Sequence, residues 1–260
     1  MIDIVMMTGT GVLLGLAIGL VVRYFGVPVN PLVESLNELM PGANCGGCGL
    51  AGCSDYANAM ATGRAKPGLC PVMSAEAVAK CCELLGVESD TTEPKIAVVC
   101  CSGDDDHAAK QAFYNGVNDC LNAMLVAGGS KGCTYGCLGL GSCARACPFG
   151  AIEMLPNHLA KIHADLCTGC GKCYMACPRN VIKLVPRSAA KVHVYCNSPK
   201  KAPIKRTVCK AACIGCRKCA KTAGEGQIIM NGYLASINYD NPPAEGIVEV
   251  CPTKCLRKAD

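Results

Sequence analysis

Cys167-Thr-Gly-Cys170-Gly-Lys-Cys173-Tyr-Met-Ala-Cys177-Pro178 is the stretch that decides how this chain folds. Thiols spaced by two, two and three residues and followed by proline form the ligand run of paired 4Fe–4S clusters. The first three bind one cluster and the fourth reaches across to its neighbour. Such a run implies a second one, and a stretched version lies upstream as Cys133-x3-Cys137-x5-Cys143-x3-Cys147-Pro148. With the fourth ligands exchanged, one cluster is expected on Cys133, Cys137, Cys143 and Cys177, the other on Cys167, Cys170, Cys173 and Cys147. Each run leads into a short apolar stretch, Ala151-Ile152 and Val181-Ile182, read here as the strand entries of a pseudo-twofold α+β sandwich.

The C-terminal third repeats this ferredoxin-like unit with half of its ligands missing. Cys209-Lys-Ala-Ala-Cys213 aligns with Cys133-Thr-Tyr-Gly-Cys137, Cys219 with Cys143, and Cys251-Pro252 with Cys177-Pro178. Ala223 stands for Cys147, while Asn241, Ala244 and Ile247 stand for Cys167, Cys170 and Cys173. The four absentees form the complete ligand set of one cluster. A single cluster is therefore expected here, on Cys213, Cys216, Cys219 and Cys251. Cys209 competes with Cys216 for that set, but Cys213-x2-Cys216-x2-Cys219 restores the standard spacing and favours Cys216.

Towards the N-terminus, Cys45-Gly-Gly-Cys48-Gly-Leu-Ala-Gly-Cys53 is followed by Cys70-Pro71. Glycines between the thiols let the backbone wrap closely and turn its N–H groups towards sulfur. Cys45, Cys48, Cys53 and Cys70 are expected to hold a further 4Fe–4S cluster. Zinc also accepts four cysteines, but the crowded spacing favours the cube. Helices are predicted over Pro31–Met40, Ser54–Thr62 and Ser74–Leu85, with Pro31 in a first turn and Ser74 as an N-cap.

Composition agrees with a chain that lacks a large apolar core. Its 260 residues include 24 Cys, 29 Gly and 15 Pro but no Trp, and aromatics make up only 4%. Small, loop-rich modules of this kind need staples, either disulfides or metal. Disulfides would call for a secreted chain, yet the N-terminus lacks a basic n-region and a small-residue cleavage site. Clustering of the thiols, with Cys-Pro pairs after them, suits convergent ligation better. Eight cysteines remain: Cys81, Cys82, Cys100, Cys101, Cys120, Cys196, Cys209 and Cys255. Cys255 aligns with Val181 and reads as a buried small hydrophobe, and Cys100 and Cys196 end apolar runs. An additional cluster or a redox-active pair is the alternative reading of Cys100, Cys101 and Cys120.

From Ile4 to Val22 the chain runs nineteen residues without a charge and then meets Arg23. That length suits a bilayer-spanning helix, and a basic residue behind it favours a cytoplasmic C-terminal side. Gly11, Gly15 and Gly19 share one helix face, a track on which another membrane helix could pack. His107, His158, His163 and His193 form no ligand pair, and Asp104–Asp106 reads as a solvated turn. Lys200, Lys201, Lys205 and Arg206 read as a basic surface loop able to steer an acidic redox protein. Net charge is only +5, with no aromatic-rich basic stripe, so no nucleic-acid partner is expected. Phosphate-binding loop, haem-attachment and serine-elbow motifs are absent.

The apolar N-terminus, Pro41-Gly-Ala-Asn-Cys45-Gly-Gly-Cys48-Gly-Leu-Ala-Gly-Cys53, Cys70-Pro71 and the runs from Cys133 together resemble one family, the B subunit of the Rnf complex, also called the ion-translocating oxidoreductase complex. The likeness covers nearly the whole chain. It departs at Val72-Met73, where Pro-Gly-Gly commonly follows, and in the single ligand set of the last unit. Resemblance implies a membrane-anchored polyferredoxin that moves electrons between ferredoxin and NAD, coupled to Na+ or H+ translocation by its partners. Those would be the A, C, D, E and G subunits, with ferredoxin as donor. The expected architecture is α+β, in four parts: a transmembrane anchor (1–25), a helical four-cysteine domain (26–92), a two-cluster ferredoxin-like domain (93–187) and a single-cluster one (188–260). Four 4Fe–4S clusters are expected in all, with no substrate-converting site. The residues between Gly26 and Pro41 read as a linker. Two rival readings are a membrane-tethered electron donor to a redox-sensing transcription factor and a structural zinc scaffold.

Overall fold

A computed structural model describes residues 2–25, 30–88 and 93–259, so residues 26–29, the start of the expected linker, and the boundary near residue 92 lie outside the described residues. The first helix, α1, spans Ile2–Phe25. Within it Met6–Phe25 is long and apolar enough to cross a membrane and touches no other part of the fold. The Cβ positions of Gly11, Gly15 and Gly19 face open space.

Three helices build the next module: α2 (Pro31–Glu38), α3 (Cys53–Ala61) and α4 (Ala75–Leu85). Their ends follow local chemistry. The Asn30 side chain accepts the Leu32 N–H at 3.0 Å ahead of Pro31, and Ser74 accepts the Ala77 N–H at 3.2 Å. Gly86, at φ +64°, closes α4 in the left-handed conformation that glycine tolerates. Leu36, Tyr56, Ala57, Met60 and Cys81 form the small core between them. Tyr56 Oη donates to the Lys66 carbonyl at 2.9 Å and accepts the Leu69 N–H at 3.2 Å, which pins the loop before Cys70.

The remainder contains the same unit twice. In the first, β1 (Lys95–Val99) pairs antiparallel with β4 (Ile182–Pro186), aligning Ile96 with Val185 and Val99 with Ile182. A hairpin of β2 (Ile152–Met154) and β3 (Ala160–Ile162) lies in sequence between them. In the second, β5 (Val192–Val194) pairs with β8 (Leu256–Lys258) around the hairpin β6 (Ile228–Asn231) and β7 (Leu234–Ile237). Strands this short bury few side chains each, about 1.5–3 kcal/mol per large one, so these sheets are weak scaffolds alone.

Short helices accompany the cysteine runs. An insert after β1 carries α5 (Cys120–Leu125). The first unit adds α6 (Ser142–Arg145) and α7 (Lys172–Ala176), and the second adds α8 (Ala202–Val208) and α9 (Lys218–Thr222). Where the first unit has α7, the second has a 3-10 turn, Glu245–Val250. The residue before α6, α7 and α9 is left-handed in every case: Gly141 at φ +73°, Gly171 at +78° and Arg217 at +61°. The last is a non-glycine in a place the repeat reserves for glycine.

Backbone bonds join the insert after β1 to the second unit. The Ala109 N–H donates to Val208 O and the Lys210 N–H to His107 O, both at 2.9 Å, and Ala108 bridges to Cys209.

Candidate metal centres

All 24 cysteines are free thiols, so no disulfide staples the fold. Among the described residues no three His, Cys, Asp or Glu side chains converge tightly enough to hold a single metal ion. Tetrahedral zinc would draw its thiolates to about 3.8 Å of one another, from Zn–S bonds of about 2.3 Å. A cube stands its four ligands further apart, at the corners of a larger box.

Cys45, Cys48, Cys53 and Cys70 surround the start of α3. Left-handed backbone at Asn44, Gly46 and Gly49 folds the loop, and Asn44 Oδ1 accepts the Cys53 N–H at 2.8 Å. Burial pushes the Cys70 thiol up, and the neighbouring Cys48 and Cys45 thiols add to the shift. Burial likewise raises Tyr56 to about 12, with Cys70 and Cys48 contributing.

Gly47 joins this loop to the next site. A Cβ at Gly47 would lie 2.9 Å from the Cys170 carbonyl oxygen. Behind that contact is a cavity whose wall carries Cys147, Cys167, Cys170 and Cys173. Burial pushes Cys173 up to about 12, and Cys167, Cys170 and Cys147 act on it in that order. From β1, the Ala97 N–H donates to Cys167 Sγ at 3.4 Å.

A second cavity, the third site, is walled by Cys120, Cys137, Cys143 and Cys177. Burial raises Cys143 to about 12, and the thiols of Cys137, Cys120, Cys177 and Cys173 add to the shift. Cys133, expected in this set, is not on this wall. The run departs from standard spacing at Leu140, where the C-terminal repeat has Cys216, and Cys120 enters from α5 instead. The placement is built in. The Cys120 N–H donates to Ser142 Oγ at 2.7 Å, and Ser142 Oγ donates to Asp119 Oδ2 at 2.7 Å. Arg145 closes the clamp on Asn118 O at 2.7 Å and on Asp119. Cys133 lies on the wall of a neighbouring cavity, with Cys101, Cys196 and Cys209.

In the last unit Cys219 is raised by burial, and the charges acting on it are Cys213, Cys251 and Cys216. Those are the four cysteines read from the repeat. A hydrogen bond from Cys255 lowers Cys213 to about 5 against the opposing effect of burial. Cys209 faces Cys133 and Cys196, away from this group.

Lys205 corrects another expectation. It is not part of a basic surface loop: it is 1% exposed on α8, donating to Ser198 O at 3.0 Å and Tyr233 O at 2.8 Å. The histidines form no ligand group. His107 and His158 pair with Asp104 and Asp105, His163 with Glu153, and His193 lies buried in β5. The Asp104–Asp106 turn is thereby tied down on its side chains rather than merely solvated.

Comparison with known proteins gives a consistent picture. Residues 40–72 match a family model described as "Putative Fe-S cluster", and residues 134–184 match a 4Fe-4S dicluster domain. The chain is 39% identical over 255 residues to the B subunit of the ion-translocating oxidoreductase complex of Methanosarcina acetivorans, covering 98% of this chain and 96% of that one. It is 41% identical over 211 residues to the B subunit of the proton-translocating ferredoxin:NAD(+) oxidoreductase complex of Clostridium ljungdahlii, covering 81% and 74%. With the B subunit of the Na(+)-translocating ferredoxin:NAD(+) oxidoreductase complex of Acetobacterium woodii the identity is 39% over 247 residues, covering 95% and 74%.

Proposed function

We infer that this chain, which belongs to the B-subunit family of Rnf-type ion-translocating oxidoreductase complexes, is the electron-transfer component of such a complex and carries electrons from ferredoxin towards the membrane subunits. One observation carries the reading: four-cysteine sets recur through a single chain from Cys45 to Cys251, the first touching the second where Gly47 meets Cys170. The ligand sets we assign are Cys45, Cys48, Cys53 and Cys70; Cys147, Cys167, Cys170 and Cys173; Cys120, Cys137, Cys143 and Cys177; and Cys213, Cys216, Cys219 and Cys251.

When bound, a 4Fe–4S cluster supplies uptake and release of one electron with little change of geometry. The chain's own residues set the conditions. Buried walls of Val99, Ile152, Val181 and Ile182 exclude water from the two central cavities. Backbone N–H groups aimed at sulfur, as from Ala97 to Cys167, favour the more negative state. Arg179, 8% exposed, stands on the wall of the Cys137 cavity and adds positive charge there. Its own pKa is lowered by burial, with the neighbouring thiols opposing that shift.

The α1 helix anchors the chain in the bilayer, and Arg23 behind the apolar span supports a cytoplasmic side for residues 30–259. Ferredoxin delivers the electrons there, and the A, C, D, E and G subunits receive them. The test is anaerobic purification of the full chain with iron and labile-sulfide analysis, beside ferredoxin-dependent NAD reduction in membranes lacking this chain. At least about sixteen irons per chain are expected, four per site, with NAD reduction restored by the wild type and not by Cys173→Ser. A chain containing zinc, or no metal, would refute the reading.

A further inference from the structure

Four thiols unused above, those of Cys101, Cys133, Cys196 and Cys209, wall one cavity. It matches the Cys137 cavity in its number of cysteines. Two of its ligands come from the first repeat and two from the second. Cys101 follows β1, Cys133 precedes α6, Cys196 follows β5, and Cys209 ends α8. Two backbone N–H groups, of Gly103 and Cys137, both donate to Cys101 Sγ at 3.3 Å. That is the pattern by which iron-bound thiolates are stabilised, and a lone core thiol would not require it.

Charge is a second, independent sign. Lys131 and Lys205 line this cavity at 2% and 1% exposure. Their ammonium groups meet only carbonyl oxygens: Gly103 O at 2.7 Å and His158 O at 3.3 Å for Lys131, Ser198 O and Tyr233 O for Lys205. Neither forms an ion pair with a carboxylate among the described residues. Buried cations need a counter-charge. Arg179 adds a third positive group at the edge, donating to Cys133 O at 2.5 Å and Gly136 O at 3.0 Å. Three buried cations around four thiols describe a pocket made for an anion of more than one charge.

We propose that Cys101, Cys133, Cys196 and Cys209 bind an additional iron–sulfur cluster of the 4Fe–4S class, and that this cluster links the two ferredoxin-like repeats electrically. The proposal rests on the iron–sulfur reading above and adds a fifth site to it. Its position lies between the two repeats. Cys137, a ligand in the first repeat, donates its N–H to Cys101, so the third and fifth sites share a wall. On the far side Cys255 packs in one buried cluster with Cys196, and Cys213 lies against that cluster, so the fifth site also abuts the C-terminal one. It thus has the third site on one side and the C-terminal site on the other. Passage between them moves one electron at a time, the donor side losing what the acceptor side gains, and no bond is made or broken.

The test compares the full chain, purified without oxygen, with Cys120→Ser, Cys133→Ser and the double variant, by iron and sulfide count and by EPR of the reduced protein. Wild type should hold about twenty irons, each single variant about sixteen and the double about twelve. The two single variants should lose different EPR components. If Cys120 and Cys133 served one cluster, the double variant would match the singles, and the proposal falls. It falls equally if wild type holds about sixteen irons and neither Cys133→Ser nor Cys209→Ser removes any. Cys209→Ser, at a half-buried position, replaces Cys133→Ser should that variant not fold. A wild-type chain without iron would instead overturn the electron-carrier reading itself.

Discussion

Gly47→Ala should loosen the first four-cysteine module from the dicluster unit while leaving each intact. Gly47 is not in the left-handed region, so alanine can adopt its backbone angles. What opposes the methyl is space: it would meet Cys170 O at 2.9 Å, Cα at 3.1 Å and Cβ at 3.2 Å. These are backbone or near-backbone atoms, so no flexible side chain can swing aside. The two loops must part by about half an ångström, and overpacking of this sort costs about 1–3 kcal/mol. At about 1.4 kcal/mol per decade, the undocked population should rise roughly 5- to 150-fold. Hydrogen exchange of the 168–171 amides under anaerobic conditions reads this directly, with iron content as a check that both sites stay loaded. Gly49→Ala is the control: its Cβ would meet nothing within 4 Å, but at φ +82° it strains the backbone. It should destabilise the first module internally and leave the 168–171 amides protected. Wild-type exchange in Gly47→Ala would refute the contact as the joint between the modules.

Three further outcomes are expected. Arg217→Gly removes a non-glycine at φ +61° and should stabilise the last unit by about 1 kcal/mol, read as a raised melting temperature. Lys205→Met deletes a buried charge beside Cys196 and Cys213 and should lower the reduction potential of the EPR component there. The shift should be about 60–90 mV, for a unit charge roughly 8–12 Å away at an effective dielectric of about 20; an unchanged potential would remove Lys205 from the electrostatics of the site. Burial lowers the His193 pKa to about 4. An unfolded histidine, near 6.5, binds a proton that the folded one refuses, so this contribution is complete above pH 6.5 and is lost as pH falls towards 4. Between pH 7.5 and 5.5 the loss is about 1.3 kcal/mol, and His193→Leu should flatten that part of a melting-temperature profile.

Much of the site is legible in the linear pattern, and what escapes it has a physical cause. Cys167, Cys170, Cys173 and Cys177 sit in one tight loop and helix, so their spacing carries their geometry. The Ser74 cap and the Pro31 start are equally local. Cys120 escapes because it reaches its cavity through the Asp119–Ser142 clamp, a contact between distant segments. Its trace in the sequence is the leucine at position 140, where a ligand is due, together with a cysteine that has no partner. Across that same gap the repeat assigns Cys133 to the set, whereas Cys133 lines the neighbouring cavity instead. Lys205 reads as surface because α8 is only seven residues long, too short for periodicity to reveal a buried face. Arg217 gives no signal at all, since arginine does not announce a left-handed backbone.

The stitching of the insert after β1 onto α8 governs how the chain can move. Ala109, His107 and Cys209 lock the halves together through main-chain bonds, so residues 93–259 have no swivel at their midpoint. A cut between the halves would expose raw edges on both instead of releasing two working proteins.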